Sequence, residues 1–216
     1  MSKSHPKILF VEDNDHSAVT SSLMQKYLSV WQNPDKTYVV NIKIQNSADE
    51  VLNHDTLSTY AKQSGLKAFG VIVDADMDAS SRWRSIMSLA LRLGFENTSE
   101  EISQEGFICI NSDGLRFGAW VMPDNISSGM VENFCKSLSD TTTPLWSHAE
   151  ASCSSSLKHG AEWKQVHKHR AEMFTWLAWQ DPPLGQMGRA ILKGKLNHEA
   201  EPAKAFIAWF KKLYEL

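Results

Sequence analysis

Two short acidic clusters follow apolar runs in this chain: Val11–Glu12–Asp13–Asn14–Asp15 and Val73–Asp74–Ala75–Asp76–Met77–Asp78. Side chains alternate between faces along an extended strand, so an Asp-x-Asp at a strand end points both carboxylates the same way. Hard oxygen donors of this kind suit Mg²⁺ or Mn²⁺, which keep several waters and reach phosphate oxygens. A Glu from a neighbouring strand end completes the ion's shell or moves a proton. The chemistry such a site supports is phosphodiester transfer or hydrolysis. The competing explanation for any single acid is structural, because Asp and Glu after strands cap the next helix and offset its dipole. Two clusters, each ending an apolar run, shift the balance toward a site.

The elements that must position these acids alternate along the first half. Lys7 to Val11 is a continuous apolar run of the kind found in a central parallel strand. Val19, Leu23, Tyr27 and Val30 recur at helical spacing, residues 38–44 are rich in β-formers, and residues 48–63 return to helical spacing, ended by Gly65. Residues 68–76 form a second apolar run. A helix over 80–93 places Trp83, Ile86, Met87 and Ala90 on one face. Strands over 107–110 and 117–122 close the region. This order implies a mainly parallel α/β sheet flanked by helices, in which ligands bind beyond the carboxyl ends of the strands. Both acidic clusters fall there.

The second half is helical. A helix opens at 127–129 and runs to Leu138, residues 139–143 read as a linker, and a Trp-rich helix and a last helix over 203–216 follow. The expected organisation is an α/β domain over 1–140 and a helical C-terminal extension over 141–216 packed on it. A net charge of −3 over 216 residues makes the whole molecule no magnet for nucleic acid, so carboxylates near phosphates require metal. Three cysteines without ligand spacing indicate reduced thiols, and no run approaches a membrane span. A soluble cytoplasmic protein is the expectation. The basic run over 158–170 reads as a phosphate-binding segment or, more commonly, a solvated helix face. Trp176 and Trp179 read as a buried helix rather than a base-stacking platform.

KILFVEDND resembles the start of a response-regulator receiver domain. However, Asp74 arrives too late in the chain, no Lys-Pro pair occurs, and too much chain follows. Glu12 followed by Asp74-x-Asp76 instead resembles the toprim superfamily of topoisomerases, primases, recombination proteins and overcoming-lysogenization-defect-type nucleases. Residues 118–134 (GAWVMPDNISSGMVENF) and 175–191 (TWLAWQDPPLGQMGRAI) look like a small bacterial branch of toprim-related proteins, so the resemblance covers nearly the whole chain. It implies a divalent-metal-dependent nuclease or nucleotidyl-transfer protein with Mg²⁺ or Mn²⁺. Catalytic roles fall on Glu12, Asp74 and Asp76, with the same three as metal ligands; Glu132 reads equally as a fourth ligand or as a first-turn acid that offsets the helix dipole.

The resemblance also implies a nucleic-acid substrate, a partner ATPase and a place in DNA repair or phage defence. The alternative is a non-catalytic toprim-like module that binds nucleic acid or docks a partner. Two departures stand out. The family often has Gly after the Glu, where this chain has Asp13, and the branch tends to have Lys before the Trp-rich helix, where Arg170 stands. Arg cannot shuttle a proton as Lys can. Asp124 and Asn125 are further polar residues after a strand, read as helix caps or extra ligands.

Overall fold

The computed structural model describes residues 5–34, 36–96 and 101–216. Five strands form one sheet in the order β2-β1-β3-β5-β4: β1 Lys7–Val11, β2 Asn41–Ile44, β3 Ala68–Asp74, β4 Phe107–Ile110 and β5 Arg116–Met122. All neighbours are parallel except β4, which runs antiparallel to β5. All seven residues of β3 are buried, as a central strand covered on both faces requires. Alternation divides the sheet's side chains between two cores. Ile8, Phe10, Phe69, Val71 and Val73 face one, with Trp83, Ile86 and Ala90 from helix α4, Ala79–Arg92. Leu9, Val11, Ile72 and Trp120 face the other, with helix α1, Asn14–Tyr27, and the C-terminal helices.

The C-terminal segment comprises α6 Pro144–Ser156, α7 Lys168–Ala178, α8 Met187–Leu192 and α9 Glu201–Tyr214. It supplies one wall of the core. Helix α9 buries Phe206, Ile207, Phe210, Leu213 and Tyr214, a stripe at spacings of three and four. It lies directly on the sheet where Gly70 and Gly118 pair in register. A Cβ on Gly118 would stand 2.7 Å from Leu213 Cδ2, and one on Gly70 2.8 Å from the same atom. The contact is sealed by polar ties: Tyr214 OH donates to Ile8 O (2.7 Å), Trp209 Nε1 to Phe107 O (3.1 Å), and the Arg116 guanidinium to the Leu213 and Lys212 carbonyls. Gly118→Ala is expected to cost about 1–3 kcal/mol by overpacking. Leu213→Ala in the same chain should relieve part of that loss, which thermal denaturation of the single and double variants would measure.

Several elements differ from the expected ones, for local reasons. The 48–63 stretch is two helices, α2 Ala48–Val51 and α3 His54–Ala61, because the Asn53 side chain accepts from Thr56 N and restarts the turn. Only residues 41–44 of the 38–44 stretch are a strand, and Tyr38 makes an isolated bridge to Gln32. Helix α1 ends at Tyr27, which leaves Val30 exposed. Strand β3 stops at Asp74, two residues short of the expected end. Helix α5, Val131–Ser137, starts later than 127–129. The basic run is not one helix face: it passes through short 3₁₀ turns before α7 begins at Lys168. Trp176 is buried and Trp179 exposed. The three cysteines are free and buried, and among the described residues no helix is long and apolar enough to cross a membrane.

Candidate functional site

Strands β1 and β3 are adjacent and parallel, so their carboxyl ends lie side by side. Glu12 follows the first and Asp74 ends the second. The Asp74 amide donates to Glu12 Oε1 (2.7 Å), tying the two strand ends together. Asp13 is the N-cap of α1: its Oδ1 accepts from Asp15 N (2.9 Å) and His16 N (3.0 Å). The departure from Gly at this position is thus a helix cap. The cap fixes the first turn of α1 and aims His16 inward, where it is 1% exposed.

Asp13 and Asp74 clamp the His16 ring. Nδ1 lies 2.8 Å from Asp13 Oδ1, and Nε2 lies 2.9 Å from Asp74 Oδ1. An ionised carboxylate can only accept, so both ring nitrogens donate and the ring is an imidazolium. Burial alone lowers its pKa, but the hydrogen bonds to Asp13 and Asp74 outweigh burial and raise it to about 10. Burial also raises the Asp13 carboxyl, and the His16 cation more than reverses this, bringing it down to about 2. Asp74 Oδ1 accepts a second hydrogen bond from Val131 N (2.9 Å), the first amide of α5. Asp74 is therefore held by β3, α1 and α5 together.

Glu12, His16 and Asp74 present ligand-type atoms within 4.8 Å of one another. As an imidazolium, His16 has no lone pair to offer, so the oxygens of Glu12 and Asp74 are the donors that fit a hard cation. Burial, then the charge of Asp74, raises the Glu12 pKa to about 7. Glu132, in the first turn of α5, is 3% exposed, and burial with Asp74's charge raises it to about 6. Arg170 reaches in from α7, with NH2 2.7 Å from Asp15 Oδ2 and NH1 3.8 Å from both Asp13 Oδ2 and Glu132 Oε1. Five carboxylates thus face two cations. Such an excess pushes protons onto the acids or calls for another cation.

Of the acids expected to act together, Glu12 and Asp74 converge, and Glu132 faces the same neighbourhood. Asp76 does not join them. The alternation argument for Asp-x-Asp holds only on extended backbone, whereas Asp76 lies beyond the end of β3 with φ 52°. Its carboxylate, more than half exposed, pairs with Arg82 NH2 (2.9 Å), while Arg82 Nε donates to Asp74 O (3.0 Å). Asp78 caps α4 through Ser81 N. Asp124 accepts from Ile126 N, Ser127 N and the Ser127 hydroxyl within its own turn, while buried Asn125 accepts from Val121 N and donates to Gln104 O, so neither side chain caps α5. The residue missed from the sequence is His16. Its available signal was position: three residues after an Asp cap, where a capping box places its reciprocal partner.

A search of curated proteins and one of solved structures find no match to this chain. One family model does match, over residues 6–215, so it takes in both strand ends, the α5 turn and the Arg170 segment. The chain belongs to the family described as "Protein of unknown function (DUF3226)".

Proposed function

We propose that the crevice at the carboxyl ends of β1 and β3 holds Mg²⁺ or Mn²⁺ through Glu12 and Asp74, with Glu132 across from them. On this reading the protein is a toprim-like nuclease or nucleotidyl-transfer protein acting on phosphodiesters. The observation that carries it is the convergence of two carboxylates, tied by the 2.7 Å bond from Asp74 N to Glu12, at neighbouring parallel strand ends. The bound ion would neutralise phosphate charge and polarise the phosphorus centre. Glu12 acts either as a ligand, where the ion's charge would lower its pKa, or as the base, where its metal-free value of about 7 suits proton transfer from an attacking hydroxyl or water near neutral pH. His16 holds Asp74 in place and offsets its charge. Asp76 reaches the ion only by releasing Arg82, so Asp76→Ala is expected to weaken Mn²⁺ binding less than Asp74→Ala does.

A second reading has its own observation. His16 and Arg170 already neutralise Asp13, Asp15 and Asp74 in part, which favours a module that binds nucleic acid or docks a partner ATPase without cutting. Incubating the protein with plasmid and single-stranded substrates, with and without Mn²⁺, separates the two. The enzyme reading expects Mn²⁺-dependent cleavage that Asp74→Asn and Glu12→Gln each reduce at least a hundredfold, on the order of one lost catalytic proton transfer. No cleavage, or cleavage untouched by both substitutions, defeats it and leaves the binding module. A role in DNA repair or phage defence is the pathway we propose for either.

A further inference from the structure

A cavity of about 570 Å³ opens beside the carboxylate crevice. Its walls come from the loop after β3, the turn before α5 and the approach to α7, including Met77, Met130, Gln165, Val166 and Lys168. Met77 is 90% exposed and Val166 64% exposed. A lone exposed apolar side chain is ordinary, but these two line one concavity together with Met130. Its volume lies in the range of small-molecule sites, and its few polar groups stand among apolar ones as such sites require.

Two backbone links join this cavity to the crevice. Asp76 and Gly129 exchange hydrogen bonds (3.0 and 2.8 Å), which clasp the Met77 loop to the turn before α5. Gly129 has φ 134°, and a Cβ there would meet Asn133 Oδ1 at 2.8 Å, so the clasp needs glycine. Met130 is followed at once by Val131, whose amide binds Asp74. The cavity wall at Met130 and the amide that binds Asp74 thus belong to neighbouring residues of one turn.

We infer that the cavity receives one nucleobase, held outside any duplex, of a nucleotide whose phosphate lies at the Glu12–Asp74 crevice. This rests on the phosphodiester reading of that crevice. A group joined to such a phosphate within that reach is a nucleoside, with apolar faces and polar edges. Met77, Met130 and Val166 supply contact for the faces without selecting among bases. The Gln165 amide both donates and accepts, as a base edge requires. Lys168 lines the same wall, with its ammonium paired to the buried Glu172 carboxylate at 3.0 Å. A base paired within a duplex reaches this concavity only by leaving its stack, so the site favours single-stranded substrate.

The test uses the full chain with methyl-labelled methionine, followed by NMR while adenosine is titrated in EDTA and AMP in Mg²⁺. Adenosine carries no phosphate, so its binding does not depend on the ion. It is expected to shift the Met77 and Met130 methyl signals, and Val166→Gln, at an exposed position, should weaken it about tenfold, the scale of one lost base contact. AMP with Mg²⁺ should bind at least tenfold more tightly than adenosine, and Asp74→Asn should remove that gain while leaving the adenosine response intact. Methyl signals that stay still with both ligands overturn the inference, as does an equal response to leucinamide, which would mark a peptide side-chain pocket. Adenosine binding without a Mg²⁺ gain upholds the base subsite and refutes the phosphodiester crevice instead.

Discussion

His16→Ala is expected to lower stability near neutral pH by about 3–5 kcal/mol, the cost of removing one partner from a buried ion pair. At roughly 2–4 °C per kcal/mol for a chain of this size, thermal unfolding should move down by about 10 °C. The reason lies in what remains behind. Asp74 is 8% exposed and receives His16 Nε2 at 2.9 Å. Without the imidazolium, its carboxylate keeps only the Val131 amide and faces Glu12 uncompensated. The pH dependence follows from the pKa values of the pair. The His16 pKa is raised from 6.5 to about 10, so its contribution is complete below 6.5 and fades as pH rises through 10. The Asp13 pKa is lowered from 3.8 to about 2, so its contribution is present above 3.8 and fades as pH falls through 2. The difference between wild type and His16→Ala should be largest from about pH 4 to 6.5 and shrink on both sides. A constant difference from pH 5 to 10 would contradict the imidazolium. Mn²⁺ should return more stability to His16→Ala than to wild type, since the ion replaces the missing positive charge.

Glu12→Gln is expected to act in the opposite direction in the absence of metal. The Glu12 carboxyl pKa is raised from 4.5 to about 7. A raised acid contributes stability below its unfolded value and loses it as pH rises through the folded one. The metal-free wild type should therefore lose stability between about pH 4.5 and 7, while Glu12→Gln should not. A shift from 4.5 to about 7 corresponds to roughly 3–4 kcal/mol at most, and partial exposure of Glu12 to water reduces this to about 2 kcal/mol. The amide keeps an oxygen to accept from Asp74 N, so the strand tie survives. At pH 8 in EDTA the variant should melt several degrees above wild type. Saturating Mn²⁺ should reverse the order, because an ion at a hundred times its Kd adds about 2.7 kcal/mol to the form that binds it. Calorimetry at pH 5 and pH 8, with EDTA and with Mn²⁺, checks both halves. If the order does not cross at pH 8, Glu12 is not a ligand.

These two residues mark the boundary of what could be read without coordinates. Glu12 and Asp74 were legible because each ends an apolar run, and apolar runs of that length in a β-α-β order make parallel strands whose carboxyl ends align. The sheet bears this out, with β1 beside β3. The alternation of Ile8 and Phe10 against Leu9 and Val11 between two cores was implicit in the same runs. The role given to the C-terminal third was only partly legible: the Trp-rich helix and the last helix were foreseen, but α6 over Pro144–Ser156 and the six-residue α8 beyond the proline pair were not. Its Gly188 meets Ala18 O of α1 so closely that a Cβ would stand 2.6 Å away, a contact no local pattern encodes.

His16, Asp76 and Arg170 were decided by tertiary structure alone. The place of His16 three residues after the Asp13 cap points to Asp13 but gives no sign of Asp74, which lies 58 residues away along the chain. Asp76 reads as a partner of Asp74 only if the strand continues, and a left-handed turn held by Gly129 ends that alternation. Arg170 reads as part of a basic run until α7 carries it across to Asp13, Asp15 and Glu132, 155 residues from Asp15 in sequence. By itself the sequence determined which strand ends carry carboxylates, because hydrophobic periodicity is a local property of the chain. Which cations answer those carboxylates was settled only by the packing of α1, α5 and α7 around β1 and β3, since charge compensation acts through space.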